Sequence, residues 1–180
     1  MGDVVVLLGA PGSGKTAVGE ALALRGLRWR EWELWILEQW GSRDTFVAQK
    51  AEALPALHQA IRTWIAEPGP PAAIESTGLS DAAFLDALGH EHRCLVVRLD
   101  VAEAEALARV ATRPRGRHLS DAHDGTRTVW RAFQEVVVPH RPVDLVIDTA
   151  RLPPAHTAAL VAGMVRRRAR PRRAPGARRR

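Results

Sequence analysis

The sequence predicts an α/β domain in which a parallel sheet is covered by helices on both faces. Three observations carry this. Short apolar runs alternate with helical segments along the chain. The first run, Val4-Val5-Val6-Leu7-Leu8, is apolar at every position, as a strand buried on both faces must be. The next segment, Gly9-Ala10-Pro11-Gly12-Ser13-Gly14-Lys15-Thr16, fits G-x-x-x-x-G-K-[ST] and joins that strand to a helix.

The other elements follow in order. A helix is expected over residues 15–24, then a short strand near 27–30 and a further helix to about 37. Residues 43–66 repeat apolar side chains at helical spacing through Phe46, Val47, Leu54, Leu57, Ile61 and Ile65, with Pro55 as a candidate break. Glu67-Pro68-Gly69-Pro70-Pro71 is a turn cluster. A strand over 72–75 and a helix over 81–88 follow, then a strand over 94–99 and a helix over 101–112. Residues 113–125, polar and rich in Arg and His, read as a mobile loop. The chain closes with a helix over 126–137, a strand over 143–147 and a helix over 154–168. Five strands so connected give a three-layer, five-stranded parallel sheet.

The 180 residues suit one domain with a full core. The net charge of +6 belongs to the C-terminal end: residues 166–180 hold nine arginines and no acid, leaving 17 basic against 20 acidic residues elsewhere. Residues 1–165 are therefore read as the domain, and 166–180 as a flexible, Arg-rich tail that is either a solvated extension or a sequence-independent contact for nucleic acid. No apolar run reaches the roughly 20 residues that cross a bilayer, and no membrane partner is expected. The N-terminus lacks a secretory pattern and Cys94 is the lone cysteine, which together point to the cytoplasm. Cys94 itself reads as a small buried apolar residue. Oligomeric state stays open.

The glycine loop carries the chemistry. Its glycines let successive N–H groups converge on phosphate oxygens, and the helix N-terminus adds partial positive charge. Gly9, Pro11, Gly12, Ser13, Gly14, Lys15 and Thr16 are thus assigned to a nucleoside triphosphate, ATP or GTP. Lys15 would reach the β- and γ-phosphates, and the Thr16 hydroxyl would hold Mg²⁺. No N-K-x-D segment is present to read guanine.

Over residues 3–165 the size, element order and motifs resemble the small P-loop kinases: nucleoside monophosphate kinases, shikimate kinase, chloramphenicol phosphotransferase and the kinase domain of polynucleotide kinase. The resemblance implies a P-loop NTPase fold with a lid at about 113–125, and transfer of a γ-phosphate to a hydroxyl. It also implies an acid near the end of the second strand, facing the acceptor. In Trp29-Arg30-Glu31-Trp32-Glu33-Leu34-Trp35 that acid is Glu33, or else Glu31, where the family usually has aspartate. In Ala73-Ile74-Glu75-Ser76-Thr77-Gly78, Glu75 is implied for the Mg²⁺ shell and Ser76 or Thr77 for substrate. The turn lacks a triple glycine, which argues against shikimate.

The lid of these kinases is matched by residues 107–118. Arg109 corresponds to an arginine that stacks on adenine, and Arg113 and Arg117, then Arg115, to arginines that close over phosphates. Arg127 and Arg131 are implied for substrate or phosphate, and the Asp148-Thr149-Ala150-Arg151 turn, with Arg151, for the base. Trp29, Trp32, Trp35 and Trp40, with Phe46, form either an acceptor wall, chiefly Trp32 and Trp35, or a helical core stripe or subunit contact. His118, His123 and His140 show no metal-ligand spacing. The small-molecule hydroxyl acceptor has two rivals: a polynucleotide 5′-hydroxyl, or no acceptor at all in a regulatory module that hydrolyses slowly.

Overall fold

The computed structural model describes residues 3–113 and 123–169. Five strands, β1 (Asp3–Leu8), β2 (Arg28–Trp29), β3 (Ala72–Ser76), β4 (Arg93–Asp100) and β5 (Leu145–Asp148), form one sheet in the order β2-β3-β1-β4-β5. Every pairing is parallel. The helices are α1 (Lys15–Ala23), α2 (Trp32–Trp40), α3 (Arg43–Ala48), α4 (Lys50–Ala66), α5 (Ala82–Glu91), α6 (Glu103–Thr112), α7 (His123–Ala132) and α8 (Pro154–Ala169).

The period-two alternation of side chains along β1 builds both halves of the core. Val4, Val6 and Leu8 face one layer, with Ile36 of α2, Phe46 of α3, Leu57, Ile61 and Ile65 of α4, Leu88 of α5 and Phe133. Val5 and Leu7 face the other, with Val18 and Leu22 of α1 and Ala158, Val161 and Val165 of α8. Central β3 is buried along its whole length and β1 from Val4 to Leu8, whereas edge strand β5 buries only Ile147. The predicted three-layer architecture is therefore the observed one.

Several boundaries differ from expectation. The single helix over 43–66 is two, divided at Gln49, and Pro55 lies inside α4 without ending it. Pro55 is in the second turn, where the missing N–H removes one bond only. At the division Gln49 leaves helical geometry (φ −108°, ψ 20°), while the start at Arg43 is capped by the Ser42 hydroxyl, which accepts from Thr45 N at 3.1 Å. The expected loop through Gly125 ends earlier, because α7 already begins at His123. From α7 the chain continues as a π-helical turn, Phe133–Val137, whose wider spiral turns Phe133 and Val137 both into the core. Arg166–Arg168, grouped with the tail by charge, lie in α8, as the expected helix over 154–168 has them; Arg168 donates to Cys94 O at 2.8 Å and pairs with Asp144 at 2.6 Å. The tail from Arg170 onward lies outside the described residues. Cys94 is half-buried. Among the described residues no helix is long and apolar enough to cross a membrane.

Candidate active site

The carboxyl ends of β1, β2 and β3 open on one side of the sheet, where ligands of open α/β sheets bind. Beyond β1 the loop curls through Gly12 (φ 78°) and Gly14 (φ 87°) into α1. A side chain at Gly12 would be strained by its left-handed backbone, and its Cβ would lie 2.5 Å from Ala106 O of α6. Helix α6 therefore rests directly on the loop. Gly9 N donates to Ser76 O at 3.1 Å, which ties the loop to the end of β3.

One cavity of about 540 Å³ opens from this loop. Pro11, Gly12, Gly14, Lys15 and Thr16 of the loop and α1 line it together with Arg109 and Arg113. Lys15 Nζ donates to Gly9 O at 2.9 Å and Ala10 O at 3.2 Å. Burial lowers the Lys15 ammonium below its usual range, and the carboxylates of Glu75 and Glu33 oppose that shift. Glu75, which closes β3 almost fully buried, is pushed up to about 8. Burial is the main cause and the charge of Glu33 the next; Lys15 and the Trp32 backbone N–H pull the other way. Lys15, Glu33 and Glu75 thus form one electrostatic cluster on the cavity floor. Their chain separation, from α1 to α2 to β3, is what hides the cluster from local sequence patterns.

These groups suit a hard divalent ion. The Glu75 Oε1 atom is buried without a hydrogen-bond partner, and the Thr16 hydroxyl lines the same cavity. Among the described residues no set of three or more His, Cys, Asp or Glu side chains could hold a metal alone. A Mg²⁺ ion at such a site takes its remaining oxygens from phosphates and water.

Several sequence-assigned residues come together here, and others do not. Lys15, Thr16, Glu33, Glu75, Trp32, Ser76, Thr77, Arg109 and Arg113 all line the cavity. Arg109 bridges the loop and the turn after β5, donating to Gly12 O at 3.3 Å and to Thr149 Oγ1 and O at 3.0 and 3.1 Å. Arg115, Arg117 and His118 lie outside the described residues. Glu31 is buried just before α2 and does not line the cavity. Arg151 stands 88% exposed beside Asp148, away from the cavity, since the turn after β5 directs it outward. Arg131 and Arg127 pair with Glu103 at 3.6 and 3.0 Å, so α7 turns them toward α6 and not toward the ligand space.

Trp35 is removed from the acceptor wall. It is 3% exposed, packed edge-on to Trp64 at 5.3 Å with Arg30 stacked at 4.8 Å. Trp29 packs in the α1/α8 layer, and Trp40 rests on Phe46 at 5.2 Å. Trp32 remains in the wall, held edge-on by His58 at 5.8 Å and Phe84 at 6.2 Å. Ser76 is committed internally: its hydroxyl donates to Asp81 Oδ2 at 2.5 Å and accepts from Gly78 N at 2.6 Å.

Sequence reasoning missed Asp81, Lys50, Leu54 and Leu79 as cavity residues. Asp81 read as the start of a helix, and burial raises its carboxyl above the usual range against the Ser76 hydrogen bond. Lys50 reaches Ser80 Oγ at 3.2 Å across 30 positions, a contact no local pattern signals.

The Glu75 shift has a sign that can be checked without ligand. A carboxyl raised from 4.5 to about 8 on folding contributes stability that is fully present below 4.5 and lost as pH rises through about 8. Metal-free protein should therefore lose thermal stability relative to its Glu75→Gln variant over that window. Melting curves of both proteins across pH measure it; a constant difference in Tm contradicts the assignment.

Comparison with solved structures places the fold. A shikimate kinase from Acinetobacter baumannii in complex with shikimate matches with a TM-score of 0.69 and 19% identity, over 92% of this chain and 94% of that one. A gluconokinase from Sinorhizobium meliloti matches at 0.60 and 18%, over 93% and 98%. A deoxyadenosine kinase from M. mycoides with bound dATP matches at 0.56 and 14%, over 91% and 99%. The chain has the fold of the small P-loop kinases. No family model and no curated protein matches the sequence.

Proposed function

We propose that the protein is a kinase that transfers the γ-phosphate of ATP, or GTP, to a hydroxyl of a small molecule. The observation that carries this is the Lys15–Glu33–Glu75 cluster on the lining of one cavity that also takes in the glycine loop and the apolar side chains of Trp32, Ile36, Phe46 and Leu54. A hydrolase needs no such added wall beside its phosphate loop. The solved kinases that share the fold are named for shikimate, gluconate and deoxyadenosine, which supports a small acceptor but does not choose one.

The loop N–H groups and the α1 N-terminus would bind the phosphate chain. Lys15 would exchange its bonds to the Gly9 and Ala10 carbonyls for the phosphates, while Arg109 and Arg113 approach from the α6 side. Mg²⁺, held by Thr16 and by Glu75 directly or through water, would neutralise charge on the phosphates. Glu33 would orient the acceptor hydroxyl and take its proton. The acceptor oxygen bonds to the γ-phosphorus as the bond from that phosphorus to the β–γ bridging oxygen breaks. The bridging oxygen keeps the electron pair and leaves on the nucleoside diphosphate. The proton passes from Glu33 to water.

A polynucleotide acceptor loses most of its tryptophan support, because Trp29, Trp35 and Trp40 serve packing. The kinase reading is tested by diphosphate formation in Mg²⁺ and ATP with and without a panel of alcohols. Acceptor-stimulated turnover at least tenfold above background is expected. Equal rates with and without every alcohol would favour the regulatory hydrolase.

A further inference from the structure

Resting on the kinase reading, we propose that Asp81 and Trp32 recognise hydroxyl groups of the acceptor other than the one that reacts. Both residues line the cavity. Among the described residues, the Asp81 Oδ1 atom and the Trp32 Nε1 atom are buried without a hydrogen-bond partner. Each carries a desolvation cost that no protein group returns, and a ligand group can return it. The two atoms are of opposite sense, one an acceptor and the other a donor. Hydroxyl groups can serve both, whereas an ammonium can serve only Asp81. The reacting hydroxyl is left to Glu33, which follows Trp32 in the first turn of α2 and lines the same cavity.

Asp81 directly precedes α5, where an aspartate ordinarily accepts from an N–H of the first helical turn. Its side chain makes no such bond. It turns instead to Ser76, whose hydroxyl donates to Oδ2 at 2.5 Å. That bond fixes the carboxyl group and leaves Oδ1 over. At 3% exposure the residue is out of reach of bulk water. Burial is the main cause that raises its carboxyl, and the Ser76 bond opposes the shift; a donor to Oδ1 would oppose it in the same way. The Trp32 ring is held edge-on by His58 of α4 and Phe84 of α5. Phe84 lies three positions after Asp81, so the start of α5 supplies one of the two groups and helps to place the other. Packing of α2, α4 and α5 therefore sets both before any ligand arrives, which limits the ordering cost of binding.

The test uses the full chain with Mg²⁺ and ATP. The probes are the butanediols and the cyclohexanediols, compared with 1-butanol and cyclohexanol, and with 4-amino-1-butanol as the ammonium arm. Transfer is followed by diphosphate release, and binding by calorimetry with a non-hydrolysable ATP analogue. At least one diol should show kcat/KM about tenfold or more above its matched mono-alcohol and above the amino alcohol. Asp81→Leu should bring the ratio of diol to mono-alcohol to within about threefold. Asp81→Asn, which keeps the shape of the carboxyl, and Trp32→Phe, which keeps a ring against His58 and Phe84, should each lower that ratio by about threefold or more. KM for ATP should hold in all three variants, with circular dichroism reporting the fold. A role confined to holding Ser76 would lower diol and mono-alcohol together and leave the ratio intact. Diols used no better than mono-alcohols, preference for the amino alcohol, or a ratio that survives in the folded Asp81 variants or in Trp32→Phe overturns the assignment. Transfer to alcohols without a diol preference keeps the kinase reading and removes this one. Asp81-dependent binding of a diol without transfer to any alcohol does the reverse, and failure of every diol both to bind and to react overturns both.

Discussion

Replacing Lys15 by Ala should slow phosphate transfer by orders of magnitude and leave the protein folded. The side chain sits on the cavity floor, and its bonds are to two carbonyls of its own loop, Gly9 and Ala10. No core packing depends on it. Burial already disfavours its ammonium, so its loss removes a desolvation cost along with a counter-charge to Glu75 and Glu33. Glu75, already pushed up to about 8, can stay protonated in the variant. Turnover should fall on the order of 10²–10³-fold, the scale seen when one preorganised donor to developing charge is deleted. Steady-state kinetics measure the loss and circular dichroism the fold. Turnover within a few-fold of the parent would remove Lys15 from the mechanism.

Glu33→Gln should produce the second large effect, a fall in kcat of about 10²–10⁴-fold with little change in KM for ATP. Glu33 is in the first turn of α2, lines the cavity and acts on both Lys15 and Glu75. Glu31, two residues earlier, is 3% exposed and outside the lining. Glu31→Gln should therefore change thermal stability more than turnover. The pair of variants decides between the two glutamates, since the reverse pattern would make Glu31 the acceptor-facing acid. Removing the Glu33 charge also removes the second-largest cause of the raised Glu75 carboxyl, so the pH window of the Glu75 effect should narrow from its upper side.

The phosphate end was legible because its physics is local. Glycines, lysine and threonine are adjacent in the chain, and the apolar strand before them dictates where they sit. The sheet was legible for the same reason: buried parallel strands are short apolar runs, and β1 and β4 need no distant context to be recognised. The rest of the cavity lining was not. Trp32 and Trp35 are three positions apart on one helix, yet one faces the cavity and the other Trp64 of α4, a choice made by how α2 docks. Leu54 and Leu79 look like ordinary core residues until α4 and the turn after β3 are brought together. Ser76 carries a hydroxyl suited to substrate by type, but Asp81 takes it. Arg131 pairs with Glu103 and Arg151 with Asp148 because a helix face and a turn direction decide where an arginine points, and both are tertiary outcomes.

The central claim is tested most directly by following the γ-phosphate. The full chain is supplied with Mg²⁺, ATP labelled at the γ-position and a mixture of alcohols, and the products are separated. Label should appear in an acceptor phosphomonoester, in amounts equal to the ADP formed, and its rate of appearance should fall by about 10²–10³-fold with Lys15→Ala. Label found only in inorganic phosphate, or a labelled ester formed equally well by Lys15→Ala, would contradict it.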